Sequence, residues 1–287
     1  MIPQMKTLPI MLAATLAFSP GLFAQAPKVD FPAPSPACTI KQRIGLTDIE
    51  IDYSRPGMKG REIFGEAGLV PFGKVWRTGA NSATKIIFST PVKLNDVDVP
   101  AGTYALFTIP GEDEWTIIIN KGAEQWGAYQ YNEKDDVVRF KATPVHLAEH
   151  IETFTIEFNH LRDESGNLNL IWDDTVVPIK IEHDLTATLV PQIKAVMASD
   201  EKNKPYYQAA MFYYDHGQDL AQAKTWIDAA IAQREAHYMV YLKAEILAKM
   251  GDKEGAIAAA KHSIELAKAA KDTGYVKMNE DLISSLQ

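Results

Sequence analysis

The feature that most constrains the fold is a change in the spacing of apolar residues near His183. Before that point apolar and polar residues alternate, as at Ile49 and Ile51, and a period of two is typical of half-buried β-strands. After it, apolar residues such as Leu185 and Leu189 recur at the spacing of one helix face. The chain therefore predicts an α+β protein in which a β-rich domain, residues 37–183, precedes an α-helical tail, residues 184–287.

Turn-forming residues separate the alternating stretches. Asn95-Asp96, Pro100-Ala101-Gly102 and Pro110-Gly111 supply residues that tolerate the backbone angles of tight turns. Because such short connections join antiparallel neighbours, and no helical crossovers lie between them, we expect about nine antiparallel strands in a β-sandwich-like domain. A closed barrel is the alternative architecture.

The first residues have the character of a targeting segment. Lys6 is followed by an apolar stretch that ends at Ala24, a small residue before Gln25. This pattern is typical of a bacterial signal peptide, so we expect residues 1–24 to be removed and the protein to be exported, to the periplasm or outside the cell. An uncleaved membrane anchor is the alternative. Residues 25–36 are rich in proline and predict an extended spacer.

Charge and cysteine content exclude some classes of partner and cross-link. The formal net charge of -8 argues against general attraction to nucleic acid or to anionic lipid. Cys38 is the only cysteine, so no disulfide can form within the chain. Stability must therefore come from packing.

An internal repeat is visible in the tail. Gly217 aligns with Gly251, and Ala223 with Ala256, at about the period of a two-helix repeat. Two helical hairpins follow from this spacing, since each glycine can end the first helix of its pair. The tail resembles a degenerate tetratricopeptide repeat, and it lacks the terminal proline of that pattern.

Several strings in the β-rich region carry a second resemblance. They are YSRPGMKGREIFG, LVPFGKVWRTGANSATKIIFS, PAGTYALFTIPGEDEWTIIINK and QWGAYQY. Over about residues 35–182 the chain resembles the bacterial domain-of-unknown-function family 2911. The resemblance implies export and this domain layout, and it implies no activity.

The segment from Ser54 to Asn81 is the strongest candidate for a binding site. It carries six glycines and five basic residues, opposed by Glu62 and Glu66 alone. Glycines let backbone amides approach an anion, and guanidinium groups hold carboxylates or phosphates with paired bonds. The predicted ligand-binding residues are Arg55, Lys59, Arg61, Trp76, Arg77 and Asn81. In the alternative interpretation, which we favour, Arg55 and Arg77 pair with Asp52 or Glu62, and Trp76 plugs the end of the sandwich.

Two other patterns suggest chemistry. His146 to His150, HLAEH, matches a reversed zinc-protease signature, but it runs directly into an apparent strand, so we expect a short loop or helical turn with exposed imidazoles. No metal site and no cofactor are expected. Trp126, Tyr129 and Tyr131 have the composition of a sugar or peptide platform, and we favour the simpler interpretation that they seal the rim of the core.

Common enzyme signatures are missing from the sequence. It has no Gly-x-Ser-x-Gly elbow, Walker loop or dinucleotide fingerprint. We therefore expect a non-enzymatic binding or interaction module of the cell envelope, with a small anionic ligand or a peptide or protein partner. The alternative is an exported hydrolase whose active site lies in the loop from Ser54 to Asn81.

Overall fold

The computed structural model describes residues 31–287. The predicted signal peptide, residues 1–24, lies outside the described residues, as does the spacer up to residue 30. Twelve β-strands are followed by six α-helices. This order confirms the α+β class expected from the change in apolar spacing.

The strands form two large antiparallel sheets and one small parallel pair. The six-stranded sheet has the order β1-β2-β5-β8-β9-β10, and the four-stranded sheet has the order β11-β12-β6-β7. The strands are β1 (Ala37–Ile44), β2 (Thr47–Ser54), β3 (Phe64–Gly65), β4 (Val70–Pro71), β5 (Thr84–Phe88), β6 (Val92–Leu94), β7 (Val97–Val99), β8 (Gly102–Ile109), β9 (Trp115–Asn120), β10 (Asp136–Ala142), β11 (Val145–Asn159) and β12 (Ser165–Glu182).

In the six-stranded sheet, successive side chains of each strand point to opposite faces of the sheet. The inner face carries Ile51 and Ile86, which pair across β2 and β5 and are fully buried. The outer face carries a row of polar residues, in which Thr39 pairs with Asp52 and Asp52 pairs with Lys85. Because side chains on a strand alternate between faces, this register places all three on one side of the sheet.

One apolar core lies between the two large sheets. It joins Ile51 and Ile117 of the six-stranded sheet with Phe154, Trp172 and Ile179 of the four-stranded sheet. Each of these side chains is nearly or fully buried. The sandwich-like arrangement expected from the short antiparallel strands is therefore confirmed.

The structure corrects three local expectations. It has twelve strands where about nine were expected, because very short strands such as β3 and β4 give no alternating signal. Both of those strands lie in the segment Ser54 to Asn81, which was expected to be a loop. His146 to His150 lies in strand β11, because pairing with β12 overrides the local pattern that favoured a loop or helical turn.

The six helices follow without further strands. They are α1 (Leu185–Ala198), α2 (Tyr206–Asp215), α3 (Leu220–Gln233), α4 (His237–Lys249), α5 (Lys253–Ala269) and α6 (Thr273–Ser285). Aspartate side chains cap several N-termini, as where Asp184 accepts a hydrogen bond from the Ala187 amide at 2.8 Å. Gly217 and Gly251 follow α2 and α4 with positive φ angles of 61° and 85°, a conformation that glycine adopts at little cost.

The helices have a core of their own. Tyr213 and Trp226 pack edge to face in it, with ring centroids 4.7 Å apart. Val190, Ile193 and Met197 of α1 pack against the same core. The helical hairpins expected in the tail are present, and their assignment to the tetratricopeptide repeats stays a prediction. Within residues 31–287, no helix is both long and apolar enough to cross a membrane.

The junction between β12 and α1 is short and packed. His183 is buried, and its amide donates a hydrogen bond to the Glu164 carbonyl at 2.9 Å. Leu185, the first residue of α1, is also buried. A Cβ atom added to Gly45 would lie 3.0 Å from the His183 ring and 3.2 Å from Leu185. The β-rich region thus runs into the first helix with no exposed linker.

Candidate functional site

The segment from Ser54 to Asn81, which we call the cap, is tied to both sheets. Its first part is held by β11, where the Met58 amide donates to the Glu152 carbonyl at 2.8 Å. Its last part is held by β8, where Trp76 and Thr108 exchange two backbone hydrogen bonds of 2.7 and 2.9 Å. Ile63 between them is fully buried in the core. These contacts make the cap an ordered part of the domain.

A cavity of about 330 Å³ lies beneath the cap. We call it the cation cavity, because Lys59, Arg61 and Arg77 line it together with Trp76 and Trp172. The remaining lining residues are small or apolar, and none of them is acidic. The cavity thus brings together four of the six residues predicted to bind a ligand.

Arg77 is the least satisfied of the three cations. Its Nε atom is buried and has no hydrogen-bond partner. Its backbone is fixed on both sides, because Trp76 bridges β8 and the Thr78 hydroxyl donates to Thr108 Oγ1 at 3.1 Å. A buried donor without a partner costs about 1 to 3 kcal/mol, so the Arg77 guanidinium is left with one unmet hydrogen bond.

The other two cations are partly used by local backbone groups. Arg61 donates to the carbonyls of Gly57 and Met58 at 2.6 and 2.9 Å. Lys59 Nζ donates to the Pro34 carbonyl at a long 3.4 Å. Within residues 31–287, no ion pair involves Lys59, Arg61 or Arg77. Three positively charged residues therefore line the cavity, and none of them is held in an ion pair by a described residue.

Trp76 closes the inner side of the cavity. It is only 7% exposed, and its indole Nε1 donates to the Gly79 carbonyl at 3.0 Å. Its ring stacks on Trp172 with centroids 5.8 Å apart and an angle of 19°. Trp76 therefore plugs the end of the sandwich, as one interpretation of the sequence held, and also offers an aromatic surface to the cavity.

Arg55 and Asn81 lie outside the cation cavity. Arg55 donates to the Phe154 carbonyl at 3.1 Å and to Thr155 Oγ1 at 2.7 Å, which ties the end of β2 to β11. Asn81 donates to the Ser35 carbonyl and to Ser54 Oγ, both at 3.2 Å. Both side chains hold the cap and the start of β1 in place. The expected pairing of the arginines with Asp52 or Glu62 does not occur among the described residues.

The lining of the cavity limits its chemistry. It offers cationic N–H donors and aromatic surface, and no carboxylate or imidazole of the described residues is part of it. Glu152 lies beside the cavity, where its Oε1 accepts a hydrogen bond from the Lys59 amide at 3.0 Å. The cationic N–H donors of the lining are suited to holding an anion.

The other sequence candidates lie apart from this cavity. His150 is exposed and hydrogen-bonded to Asp173, and this bond raises the pKa of the imidazole. His146 faces Asp174 at 3.4 Å. Across the described part of the chain, no group of three or more His, Cys, Asp or Glu side chains is arranged to hold a metal ion.

The aromatic cluster divides into buried and exposed members. Tyr131 packs edge to face on Phe107. Burial is the main cause that raises the pKa of Tyr131 to about 12, and the hydrogen bond to Asp136 is the second cause. Trp126 is 63% exposed and Tyr129 is 86% exposed. The expectation that all three seal the rim of the core is right for Tyr131 and wrong for the other two.

Sequence reasoning missed Trp172 and the residues of the spacer. Trp172 lies on β12, far along the chain from the cap, and Pro34 and Ser35 come from the start of the described chain. No local pattern marks these residues, because only the pairing of the sheets brings them to the cavity.

Comparison with known proteins gives one family. The family model described as protein of unknown function (DUF2911) matches residues 35–181. The matched region contains the cap and Trp172. No curated protein and no solved structure matches the chain.

Proposed function

The chain belongs to the DUF2911 family of proteins of unknown function, and from that premise we propose a function on the chemistry of the cation cavity. The protein is a binding module that holds a small carboxylate or phosphate ligand beneath its cap. The signal-peptide pattern of residues 1–24 supports a place for this module in the cell envelope after export. The peptide or protein partner expected at the helical tail stays a prediction.

The buried Nε atom of Arg77 carries the proposal. A guanidinium group presents its donors in a planar fork that matches a carboxylate or phosphate. Here one of those donors is removed from water and given no protein acceptor. An oxyanion that reaches this donor would give it an acceptor and would balance the charges of Lys59 and Arg61.

The aromatic wall narrows the class of ligand. Trp76 and Trp172 present apolar surface, and Leu69 and Val70 add aliphatic groups to the lining. The cavity, at about 330 Å³, has the size of a small-molecule site. We therefore expect an anion that carries a flat apolar group to bind more tightly than a bare inorganic ion.

Binding is favoured over hydrolysis by the kinds of groups that line the cavity. A hydrolase in the cap would need a nucleophile or a base in contact with the bound ligand. Apart from Ser35, the polar side chains that line the cavity are the donors Lys59, Arg61 and Arg77, and no imidazole or carboxylate of the described residues lines it to activate the Ser35 hydroxyl. These groups can retain an anion without transforming it.

Calorimetry with three probes tests the proposal: inorganic phosphate, phenyl phosphate and benzoate. We expect phenyl phosphate to bind most tightly of the three and Arg77→Ala to weaken it by about tenfold or more, the equivalent of about 1.4 kcal/mol. Arg43→Ala is the matched control, because Arg43 is exposed and pairs with Asp48 on the β1-β2 hairpin. Failure of all three probes to bind would refute the proposal, as would unchanged binding by Arg77→Ala.

A further inference from the structure

A second and larger cavity lies on the outer face of the six-stranded sheet. It has a volume of about 670 Å³, and we call it the outer groove. Its floor is the polar row of Thr39, Asp52 and Lys85, on β1, β2 and β5. Its wall is the connection after β9, which contributes Glu124 to Trp126. The groove is separate from the cation cavity and shares no lining residue with it.

The backbone of Trp126 is held by neighbouring hydrogen bonds, although its side chain is exposed. Trp126 forms an isolated antiparallel bridge with Ser82. On either side of it, the Ala83 amide donates to the Gln125 carbonyl at 3.0 Å and the Gly127 amide donates to the Asn81 carbonyl at 2.9 Å. A large apolar ring that is 63% exposed on a fixed backbone is a preorganised contact surface, because little conformational entropy is lost when a ligand covers it.

The rest of the groove is polar and nearly balanced in charge. Lys85 forms an ion pair with Glu124, and Asp52 accepts a hydrogen bond from the Thr39 hydroxyl. The hydroxyls of Ser54 and Ser82 also line the groove. Hydroxyls and carboxylates can accept hydrogen bonds, and the serine and lysine groups can donate them. The groove therefore presents both partners that a polyhydroxylated ligand needs.

A further polar group in the wall lacks a partner. Gln125 Nε2 donates to the Gly122 carbonyl at 2.6 Å, which fixes the side-chain amide. The other end of that amide, Oε1, is buried and accepts no hydrogen bond. A buried acceptor without a donor is unfavourable, so this oxygen is a hydrogen-bonding requirement that the fold leaves unmet.

We propose that the outer groove binds a neutral oligosaccharide, with a sugar ring stacked on Trp126 and its hydroxyls bonded to the polar row of the floor. A sugar ring has an apolar face of C–H groups and a rim of hydroxyls, and the groove offers an aromatic face beside polar groups. The groove favours a neutral sugar over an acidic one, since its carboxylates Asp52 and Glu124 outnumber its one cation, Lys85. This inference does not depend on the proposed function of the cation cavity.

A protein partner fits the groove less well. A stable protein interface buries about 800 Å² on each partner around an apolar centre. Here the exposed aromatic surface is limited to Trp126 and, beyond Gly127, Tyr129, and the floor beside them is charged. A single aromatic ring beside many polar groups is the pattern of a sugar site.

Intrinsic fluorescence of the full chain provides the test. The chain has five tryptophans, and the other four, Trp76, Trp115, Trp172 and Trp226, are buried. The probes are cellotetraose, maltotetraose and N-acetylchitotetraose, followed as a shift in emission. We expect at least one of them to give a saturable shift, confirmed by calorimetry.

Variants then test whether the tetrasaccharide binds at Trp126. In calorimetry, Trp126→Ala should weaken the responding tetrasaccharide by about tenfold, and Trp126→Phe by less, because phenylalanine keeps an aromatic face. Leu161→Ala is the control, since Leu161 is exposed and lies outside the groove. Arg77→Ala should leave sugar binding unchanged, which separates this site from the cation cavity.

Three outcomes would overturn the inference. The first is that none of the three tetrasaccharides binds, and the second is that one binds equally well to Trp126→Ala. The third is a Trp126-dependent response to a proline-rich peptide without any response to the sugars, which would assign the groove to peptides. Because Trp126 is exposed, its variants are expected to fold, and their thermal unfolding verifies this.

Discussion

The cation cavity and the outer groove use the same kinds of residue in opposite ways. Beneath the cap, Trp76 is buried in the core and the cations have no acidic partner. In the outer groove Trp126 is exposed, and Lys85 is paired with Glu124. A tryptophan or a basic residue therefore says little about binding until its environment is known. What indicates binding is a hydrogen bond, a charge or an apolar surface of that residue that the fold leaves without a partner.

The difference follows from where each cavity lies on the sandwich. The cation cavity is at the end of the sandwich, where the cap and β12 close over the core, so its aromatic rings also stabilise the fold. The outer groove is on a sheet face that points away from the core, where side chains such as Asp52 and Lys85 can pair across strands. One cavity is thus coupled to stability, and the other is largely independent of it.

The largest expected effect separates the two tryptophans. Trp76→Ala should lower the free energy of unfolding by about 3 to 5 kcal/mol, because it removes a core aromatic ring in contact with Phe64, Trp115 and Trp172. Trp126→Ala should change it by less than about 0.5 kcal/mol. Urea denaturation of both variants measures the difference. Equal losses would show that the contrast between the two cavities is wrong.

The next effect separates Arg55 from Arg77 among the three arginines of the cap. Arg55→Ala should lower the free energy of unfolding by about 1 to 3 kcal/mol, because it leaves the Phe154 carbonyl without its donor. Arg77→Ala should cause no loss, since the buried Nε atom it removes has no partner. Chemical denaturation without added anions is the measurement. If Arg77→Ala is the more destabilised variant, Arg77 is an anchor and the anion-site proposal loses its main support.

A smaller effect tests the fixed wall of the outer groove. Gly127 has φ 68°, and a Cβ atom there would lie 2.8 Å from the Tyr129 ring. Gly127→Ala should therefore lower the free energy of unfolding by about 1 to 2 kcal/mol and weaken sugar binding, while phenyl phosphate binding stays unchanged. Calorimetry with both ligands checks the pair of outcomes. Gly73→Ala, at a similar φ of 71° with open space around it, is the control for backbone strain alone.

The smallest effect is on salt dependence. Raising sodium chloride from about 0.1 M to about 1 M shortens the screening length from about 10 to about 3 Å. Phenyl phosphate binding in the cation cavity should weaken several-fold, because its partners are unpaired cations, whereas tetrasaccharide binding in the outer groove should change little. Titrations at both salt concentrations measure this. If salt weakens the binding of both ligands equally, the inference that unpaired charges drive binding in the cation cavity alone is contradicted.

The broad architecture could be predicted from the spacing of apolar residues. The alternation at Ile49 and Ile51 and the helical spacing after Leu185 reflect which faces are buried, and burial dominates the choice of secondary structure. The two short strands of the cap could not be predicted in this way, because two residues are too few to show a period. His146 to His150 was misjudged for a related reason, since pairing with β12 decides its conformation.

The kinds of residue at the candidate site could be predicted from the sequence, but which residues line the cavity could be predicted only in part. The density of basic residues and glycines drew attention to the cap, and four of the six residues named there, Lys59, Arg61, Trp76 and Arg77, line one cavity; their role in binding stays a prediction. Arg55, four residues from Lys59, is instead bonded to β11. Proximity in sequence does not specify a hydrogen-bond partner, so neither the role of Arg55 nor the exposure of Trp126 could be deduced without the sheet register.

The packed junction between β12 and α1 has a consequence for proteolysis. A protease needs an exposed and extensible stretch of backbone, and the buried residues His183 and Leu185 offer none. The first such stretch after them is residues 200–203, between α1 and α2, where all four side chains are exposed. Limited digestion should therefore cut first between α1 and α2 and release a β-rich fragment that keeps α1, in which Val190, Ile193 and Met197 lose their contacts with the helical core.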